Sequence, residues 1–474
     1  MRFSAYFMGK STPMIGMGPL FRVLLPGSLA AVVVTASLYF GTSVSPVSKS
    51  HGCTGFAQSA VGGVRIDASG AIERLDRDTL GTLAEQRREA LIQAPADMQK
   101  PSDLRKISLR ALEQALAENV QSGKPIPEEM LLLAGLQKIQ YVFVYPEQQD
   151  IVLAGFGEGW KTNARGDIVG LTTERPVLVL DDLLTALRSA EQAAHGGISC
   201  SIDPTPEGLD RLRKHVAGLR TIGNPQQTGK GIEQALGPQS VTVTGLPTTS
   251  HFAHVLVAAD YRMKRLGMNL DQAGVPGFTS YLNLLGSTGR GISAIAPRWW
   301  LVPDYQPVLV DADGLAFQLR GKGVKCLTED TVFAADGTKS QAGKSSPAAQ
   351  KWADMMTNKY PQLAQKEPVF AELENMMDLA VVGALIFQEK LAEKSGYSLP
   401  LLLNSQQLPN ETYQAVKHTD SVASLVQKGS NWVISASGGV QIDSWKLAAD
   451  KQTEPKLAEL RKARITGAKT WWWN

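Results

Sequence analysis

Two histidines, His251 and His254, stand three residues apart in the run SHFAHVLVAAD. On a helix that spacing puts both imidazoles on neighbouring positions of one face. Such a pair could give two ligands to a zinc ion, with Asp260 or another carboxylate completing the set. A zinc site takes three or four ligands, and the glutamate that an H-E-x-x-H sequence places between its histidines as general base is missing. His251 and His254 are therefore candidate metal ligands with no marked catalytic partner; a capping or surface role at a helix start is the alternative. Two ligands do not amount to a metal site, so no bound metal, no other cofactor and no catalytic residue is predicted.

Four other stretches approach known chemistry and stop short. GNPQQTGKG, residues 223–231, has Asn224 where a phosphate-binding loop needs glycine and Gly231 where it needs the hydroxyl that holds Mg²⁺. A flexible loop is expected there. GFGEG, residues 155–159, follows a strand but leads into the turn-like Trp160–Gly166 stretch, not into a helix whose N-terminus could meet a pyrophosphate. LGSTG, residues 285–289, has Leu285 in place of the first glycine of a nucleophile elbow, and Ser287 lacks the strand-turn-helix context that would expose it. Asp311-Ala-Asp313-Gly314 lacks the remaining ligands of a calcium loop and reads as a turn. Asp378 sits in the apolar run MMDLAVVGALIF. A buried carboxylate is costly unless paired, and an ion pair with Arg262 or Arg265 is expected.

The elements that must carry these residues are clearest between Val177 and Met268. Val177–Leu180 is an apolar run suited to a buried strand. Asp181 and Asp182 favour a helix N-terminus, one as N-cap. Leu183, Leu184, Leu187 and Ala190 form the helix face, and Gly196-Gly197 ends it. Ile198, Cys200 and Ile202 alternate with Ser199 and Ser201, the pattern of a half-buried strand. Thr205-Pro206 starts a helix as cap and N1. Val241 and Val243 alternate with Thr242 and Thr244, and Thr249 or Ser250 caps the helix that bears the histidines. A sheet covered on both faces reads as continuous apolar strands. Two of these three strands have a polar face, so helices should cover one side only, leaving the other solvated or docked against another part of the chain. The fold class is α+β.

Before this stretch, VRIDASGAIERL reads as a hairpin, Ser108 as the cap of a helix, and residues 139–156 as two strands joined at Pro146–Asp150. After it, VLVDADGLAFQL is a hairpin turning at Asp313-Gly314, and residues 335–347 read as a linker. Ser346-Pro347 opens one helix, and a longer one, apolar all round, runs from Pro368 to about Lys394. WVISASGGVQIDSW reads as a closing hairpin, and the three terminal tryptophans need something to pack on. The reading is multi-domain. It comprises an export segment (1–60), a mixed hairpin and helix segment (61–125), an α/β domain (126–290), a β-rich section (291–345), a helical unit (346–398), and a C-terminal hairpin with tail (399–474).

Composition sets the address. Residues 1–60 hold Arg2, Lys10, Arg22 and Lys49 and no acidic residue; without them the chain has 44 basic against 45 acidic residues, so its net charge of +3 becomes −1. A near-neutral body gives no reason to expect nucleic acid or an anionic membrane as partner. Basic residues up to Arg22 followed by the apolar run Val23–Phe40 resemble an export signal. An uncleaved membrane anchor through residues 23–40 is the alternative, though 18 residues containing Pro26 barely span a bilayer. Cys200 and Cys326 could bridge in an oxidising compartment or remain separate buried thiols.

The strings ADYRMKRLGMNLD, KWADMMTNKY, PVFAELENMMDLAVVGALI and SGGVQIDSW resemble a family of exported planctomycete bacterial proteins containing a domain of unknown function. The resemblance runs over most of the chain after about residue 125. It implies a signal-bearing periplasmic, envelope or secreted protein and supplies no activity and no site residues. The functional expectation is thus a non-enzymatic binding or structural component of the envelope or secreted fraction, engaging an unknown protein or envelope partner. The alternative is an exported hydrolase, metal-assisted through His251 and His254.

Overall fold

Strands from nearly the whole described length join one mixed sheet, and each forms where the side-chain pattern lets one face be buried. The computed structural model describes residues 60–61, 64–67, 69–74, 94–218, 225–285, 294–333, 339–341, 346–421, 432–433, 436–463 and 472–474. Residues 1–59, which hold all but Ala60 of the segment expected to direct export, lie outside the described residues, and so does Ser287.

Strands β1 (Ala60–Val61), β2 (Val64–Ile66) and β3 (Ala71–Arg74) come first, and β2 and β3 form the expected hairpin. β4 (Ser102–Ser108) runs into α1 (Leu109–Gln121), whose first turn is capped by Ser108 Oγ accepting the Ala111 N–H at 3.0 Å. The short α2 (Glu128–Leu131) follows Pro127. β5 (Tyr141–Tyr145) and β6 (Asp150–Gly157) pair antiparallel, while β7 (Trp160–Thr162) and β8 (Ile168–Gly170) form a separate small sheet. Then come α3 (Leu180–Ala193), β9 (Ile198–Pro204), α4 (Pro206–Gly218), α5 (Pro225–Leu236), β10 (Gln239–Thr244), α6 (His251–Gly267) and α7 (Tyr281–Leu284). The long hairpin of β11 (Ala294–Val310) and β12 (Ala316–Phe333) is followed by β13 (Lys339–Gln341), α8 (Pro347–Lys366), α9 (Pro368–Gln388) and α10 (Leu391–Ser395). β14 (His418–Thr419), β15 (Trp432–Val433), β16 (Ser437–Ile442), α11 (Ser444–Ala449), β17 (Lys451–Thr453) and α12 (Lys456–Ala463) complete the order.

The sheet runs β1-β2-β3-β14-β10-β9-β16-β11-β12-β5-β6-β4, with β13, β15 and β17 attached beside β11 and β12. Helices and strands combine as an α+β fold. Ile198, Cys200 and Ile202 of β9 are buried, as are Val440 and Ile442 of β16 and Trp299 and Leu301 of β11. This face carries α6, α8 and α9. α9 is buried along most of its length, since its apolar residues go all round. The outward residues of β9 and β10 are the expected hydroxyls, with Thr242 and Thr244 exposed. At the far end of this second face a separate apolar cluster forms. There Phe143, Tyr145, Val152, Ala154, Leu309 and Ala316 pack with Leu457 of α12.

Five expectations are corrected. Val177–Val179 is an extended connector and not a strand: Leu178 N–H reaches Leu136 O at 2.7 Å, and the helix begins at Leu180 with both aspartates in its first turn. Residues 225–231 are helical, not a loop, because α5 buries Ile232 and Leu236. The stretch 432–445 is no hairpin. β15 and β16 both lie parallel to β11, and the backbone at Gly438 approaches Trp299 so closely that a Cβ would stand 1.9 Å from its carbonyl oxygen. Residues 339–341 within the expected linker pair with β12. The helix expected to reach Lys394 breaks at Lys390, whose φ is +53°. Cys200 and Cys326 are both buried free thiols, and burial raises the pKa of each. The tail finds its seat: Ser108 N–H bonds Trp472 O at 2.8 Å, and Arg105 lies over the Trp473 ring. Among the described residues, no helix is long and apolar enough to cross a membrane.

Candidate functional site

Two helix starts set the site. The first turn of α3 presents Asp181 and Asp182, and the first turn of α6 presents His251 and His254. Ser250 caps α6, its Oγ accepting the Ala253 N–H at 3.1 Å. The Asp182 side chain is buried, and His251 Nδ1 donates to its carboxylate at 2.9 and 3.1 Å. Burial alone would lower the His251 pKa; the Asp182 charge more than offsets it and holds it at about 9. At neutral pH His251 therefore holds its proton, which it would have to release to ligate a metal.

His254 points elsewhere. Its Nε2 donates to Gln414 O at 2.6 Å, and burial lowers its pKa to about 4. Tyr413 packs against both imidazoles, with ring centroids at 5.7 Å from His251 and 5.2 Å from His254. The segment bearing Tyr413 is fastened by Asp181, whose Oδ1 accepts from Asn410 Nδ2 and Glu411 N–H, each at 2.9 Å. Burial, with Asp182 adjacent, raises the Asp181 pKa to about 6. Arg188, two turns further along α3, spans Leu402 O, Leu408 O and Asn410 Oδ1 at 2.5–2.8 Å. These contacts clasp residues 402–414 onto the ends of α3 and α6.

Chemically, His251 with Asp182 is an imidazole oriented by a carboxylate, the two-residue part of a base or acid relay. Among the described residues no group of three or more His, Cys, Asp or Glu side chains is placed to hold a metal ion. Asp260, a third ligand by sequence, is instead in a buried ion pair with Lys264 at 2.7 Å.

The remaining candidates are scattered. Gly155 packs against the backbone at Lys138, and the glycine cluster that holds it leads into β7. Beside it lies Glu158, fully buried, which the sequence did not single out. It accepts from Thr172 Oγ1 at 2.5 Å, Thr173 N–H at 2.9 Å, Thr173 Oγ1 at 2.7 Å and Gln137 Nε2 at 3.1 Å. Burial alone would raise its pKa, but these bonds hold it at about 2. Asp311 closes its turn by accepting the Leu315 and Ala316 N–H groups at 2.7 and 3.0 Å.

Asp378 is not paired with either arginine. Arg262 and Arg265 both bond Asp271, and Arg262 also reaches Glu367. The geometric reason is that Asp378 faces the sheet, where the Tyr305 hydroxyl donates to Oδ1 and the Ile139 N–H to Oδ2 at 3.3 Å. Burial raises its pKa to about 6, against Lys138 and the Tyr305 bond, which lower it. A raised carboxyl pKa contributes stability that is complete below the unfolded value near 4 and lost as pH rises through about 6. Asp378→Asn should therefore flatten stability against pH between 4 and 7, by roughly 2–3 kcal/mol over that window. Melting temperatures at four pH values read this slope, and parallel profiles for both proteins would rule it out.

The family whose model matches the chain is described as a protein of unknown function (DUF1598), and the match covers residues 200–281, from β9 to the first residue of α7. No curated protein and no solved structure matches the chain. The matched span holds His251, His254, Asp260 and Lys264 but amounts to 82 of 474 residues. It is this segment, not the chain as a whole, that is similar to a family of unknown function.

Proposed function

We propose that the chain is an exported, non-catalytic binding component of the cell envelope or secreted fraction. One observation carries the binding half: among the described residues His251, His254 and Asp260 are engaged by partners within the fold, while a strip of hydroxyls with the Gln441 amide on β10, β9 and β16 stays outward. The export half rests on the basic residues up to Arg22 and the apolar run Val23–Phe40.

Fusing alkaline phosphatase behind residue 60 tests export, since that reporter folds actively only outside the cytoplasm. An active fusion is expected; an inactive one, with the whole chain in the cytoplasmic fraction, contradicts the reading. The His251–Asp182 contact favours a second reading, an exported hydrolase assisted by a metal. Stoichiometric zinc in the purified chain, lost on His251→Ala, would replace the first reading with the second.

A further inference from the structure

We infer that the outward face of β10, β9, β16, β11 and β12 binds a neutral glycan, with a sugar ring against Trp300. The inference rests on the binding reading above and names its ligand.

The register lines up five strands. Thr242 stands opposite Ser201, Ser201 opposite Gly439, Gly439 opposite Trp300, and Trp300 opposite Leu327. Directly paired residues project to the same face, so these side chains form one row. Their immediate chain neighbours Val241, Cys200, Val440, Leu301 and Cys326 are buried on the helix-covered face, which fixes the row as outward. Thr242 is exposed, Ser201 and Trp300 are partly exposed, Gly439 is buried between them, and Leu327 is 48% exposed on a stretch of β12 that pairs with β11. At about 4.8 Å between strands the row is about 19 Å long, the length of a few sugar rings.

Its chemistry suits a polyol. Trp300 supplies an apolar surface for sugar C–H groups, and Leu327 extends it. At Gly439 there is no side chain to rise above the row, and none can be added, since a Cβ would stand 1.8 Å from Cys200 O. The Arg298 guanidinium lies over the Trp300 ring, its carbon 5.2 Å from the centroid, which holds the ring's orientation. The next row brings Thr244, Ser199 and Gln441 together, with the Ser199 and Thr244 hydroxyls 2.8 Å apart. These groups both donate and accept, as sugar hydroxyls do.

Charge decides against a polyanion. Arg298 stands opposite Glu329, and Lys325 is ion-paired with Asp304 at 3.5 Å. Asp203 adds one negative charge at the margin. The strip has no cationic excess for phosphate or uronate, and an uncharged partner is the complementary one. Coverage agrees: α12 seals the end of this face beyond the row with its own apolar cluster and leaves the Trp300 row outward.

The test is calorimetric titration of the full chain with cellohexaose, xylohexaose and chitohexaose, with polygalacturonate as charged control. At least one neutral hexasaccharide should bind. Trp300→Ala should weaken it tenfold or more with an unchanged melting temperature, and Trp300→Phe should restore part of the loss. Binding of none of the three, preference for polygalacturonate, or full binding by Trp300→Ala would each overturn the inference. Chromatography of the recovered sugar separates it from the parent reading. An intact hexasaccharide is expected; shortening that His251→Ala abolishes would sink the non-catalytic reading while leaving the sugar site in place.

Discussion

Lys264→Met is expected to lower stability by about 3–5 kcal/mol, because it strands a buried carboxylate. Lys264 Nζ donates to Asp260 Oδ2 at 2.7 Å, Ile202 O at 2.9 Å and Gly438 O at 3.1 Å. One ammonium thus ties α6 to β9 and β16, the two strands at the middle of the sheet. Burial holds the Asp260 pKa at about 7 even with Lys264 beside it. Without the lysine, the carboxyl can only become neutral by taking up a proton, so the penalty should be larger at pH 8 than at pH 5. The double variant Asp260→Leu with Lys264→Met removes both charges and should recover most of the loss, since apolar replacements for a buried pair are often neutral. Urea unfolding midpoints of the unaltered chain and the two variants at both pH values check this. Equal losses in the single and double variants would mean the ion pair is not what joins helix to sheet.

Trp352→Ala is expected to cost about 3–5 kcal/mol, the range for removing a buried tryptophan. Trp352 on α8 and Trp299 on β11 are both fully buried, with ring centroids 4.1 Å apart. Tyr281 meets Trp299 edge-on at 5.4 Å, and Phe278 meets Trp352 edge-on at 6.4 Å. Gly267 at the end of α6 makes room for this cluster: a Cβ there would lie 2.5 Å from the Trp299 ring. Gly267→Ala should therefore cost about 1–3 kcal/mol by overpacking. In a Trp299→Leu background the same substitution should cost little, because the atoms it strikes are gone. Chemical unfolding of the four proteins measures the coupling. Strict additivity would show that the glycine is not there for the ring.

What the sequence made legible was local. The caps at Ser108, Ser250 and Ser346 each lie three residues from the amide they satisfy, and each was readable from a hydroxyl before a helical pattern. The alternation in β9 and β10 gave the outward hydroxyls because strand period alone decides it. What stayed hidden depends on partners far along the chain. Asp182 read as a helix-start residue; that it holds His251, 69 residues away, follows from how α3 and α6 meet. Asp378 needed a partner, and its charge pointed to arginines, whereas the partner that meets it is the Tyr305 hydroxyl from the sheet beneath the helix. Trp300 and Leu327 looked like ordinary strand residues until register set them beside each other and beside Gly439. A continuous polar and aromatic row is a property of five strands together.

The central claim is that a partner is engaged on the sheet face while the His251 centre holds the fold. Hydroxyl-radical footprinting of the full chain, with and without the best-binding hexasaccharide, reads the solvent access of each side chain directly. The account predicts protection of Trp300 and Leu327, with His251 and Tyr413 unchanged. Protection of His251 and Tyr413, with Trp300 and Leu327 as reactive as in the free protein, would contradict it.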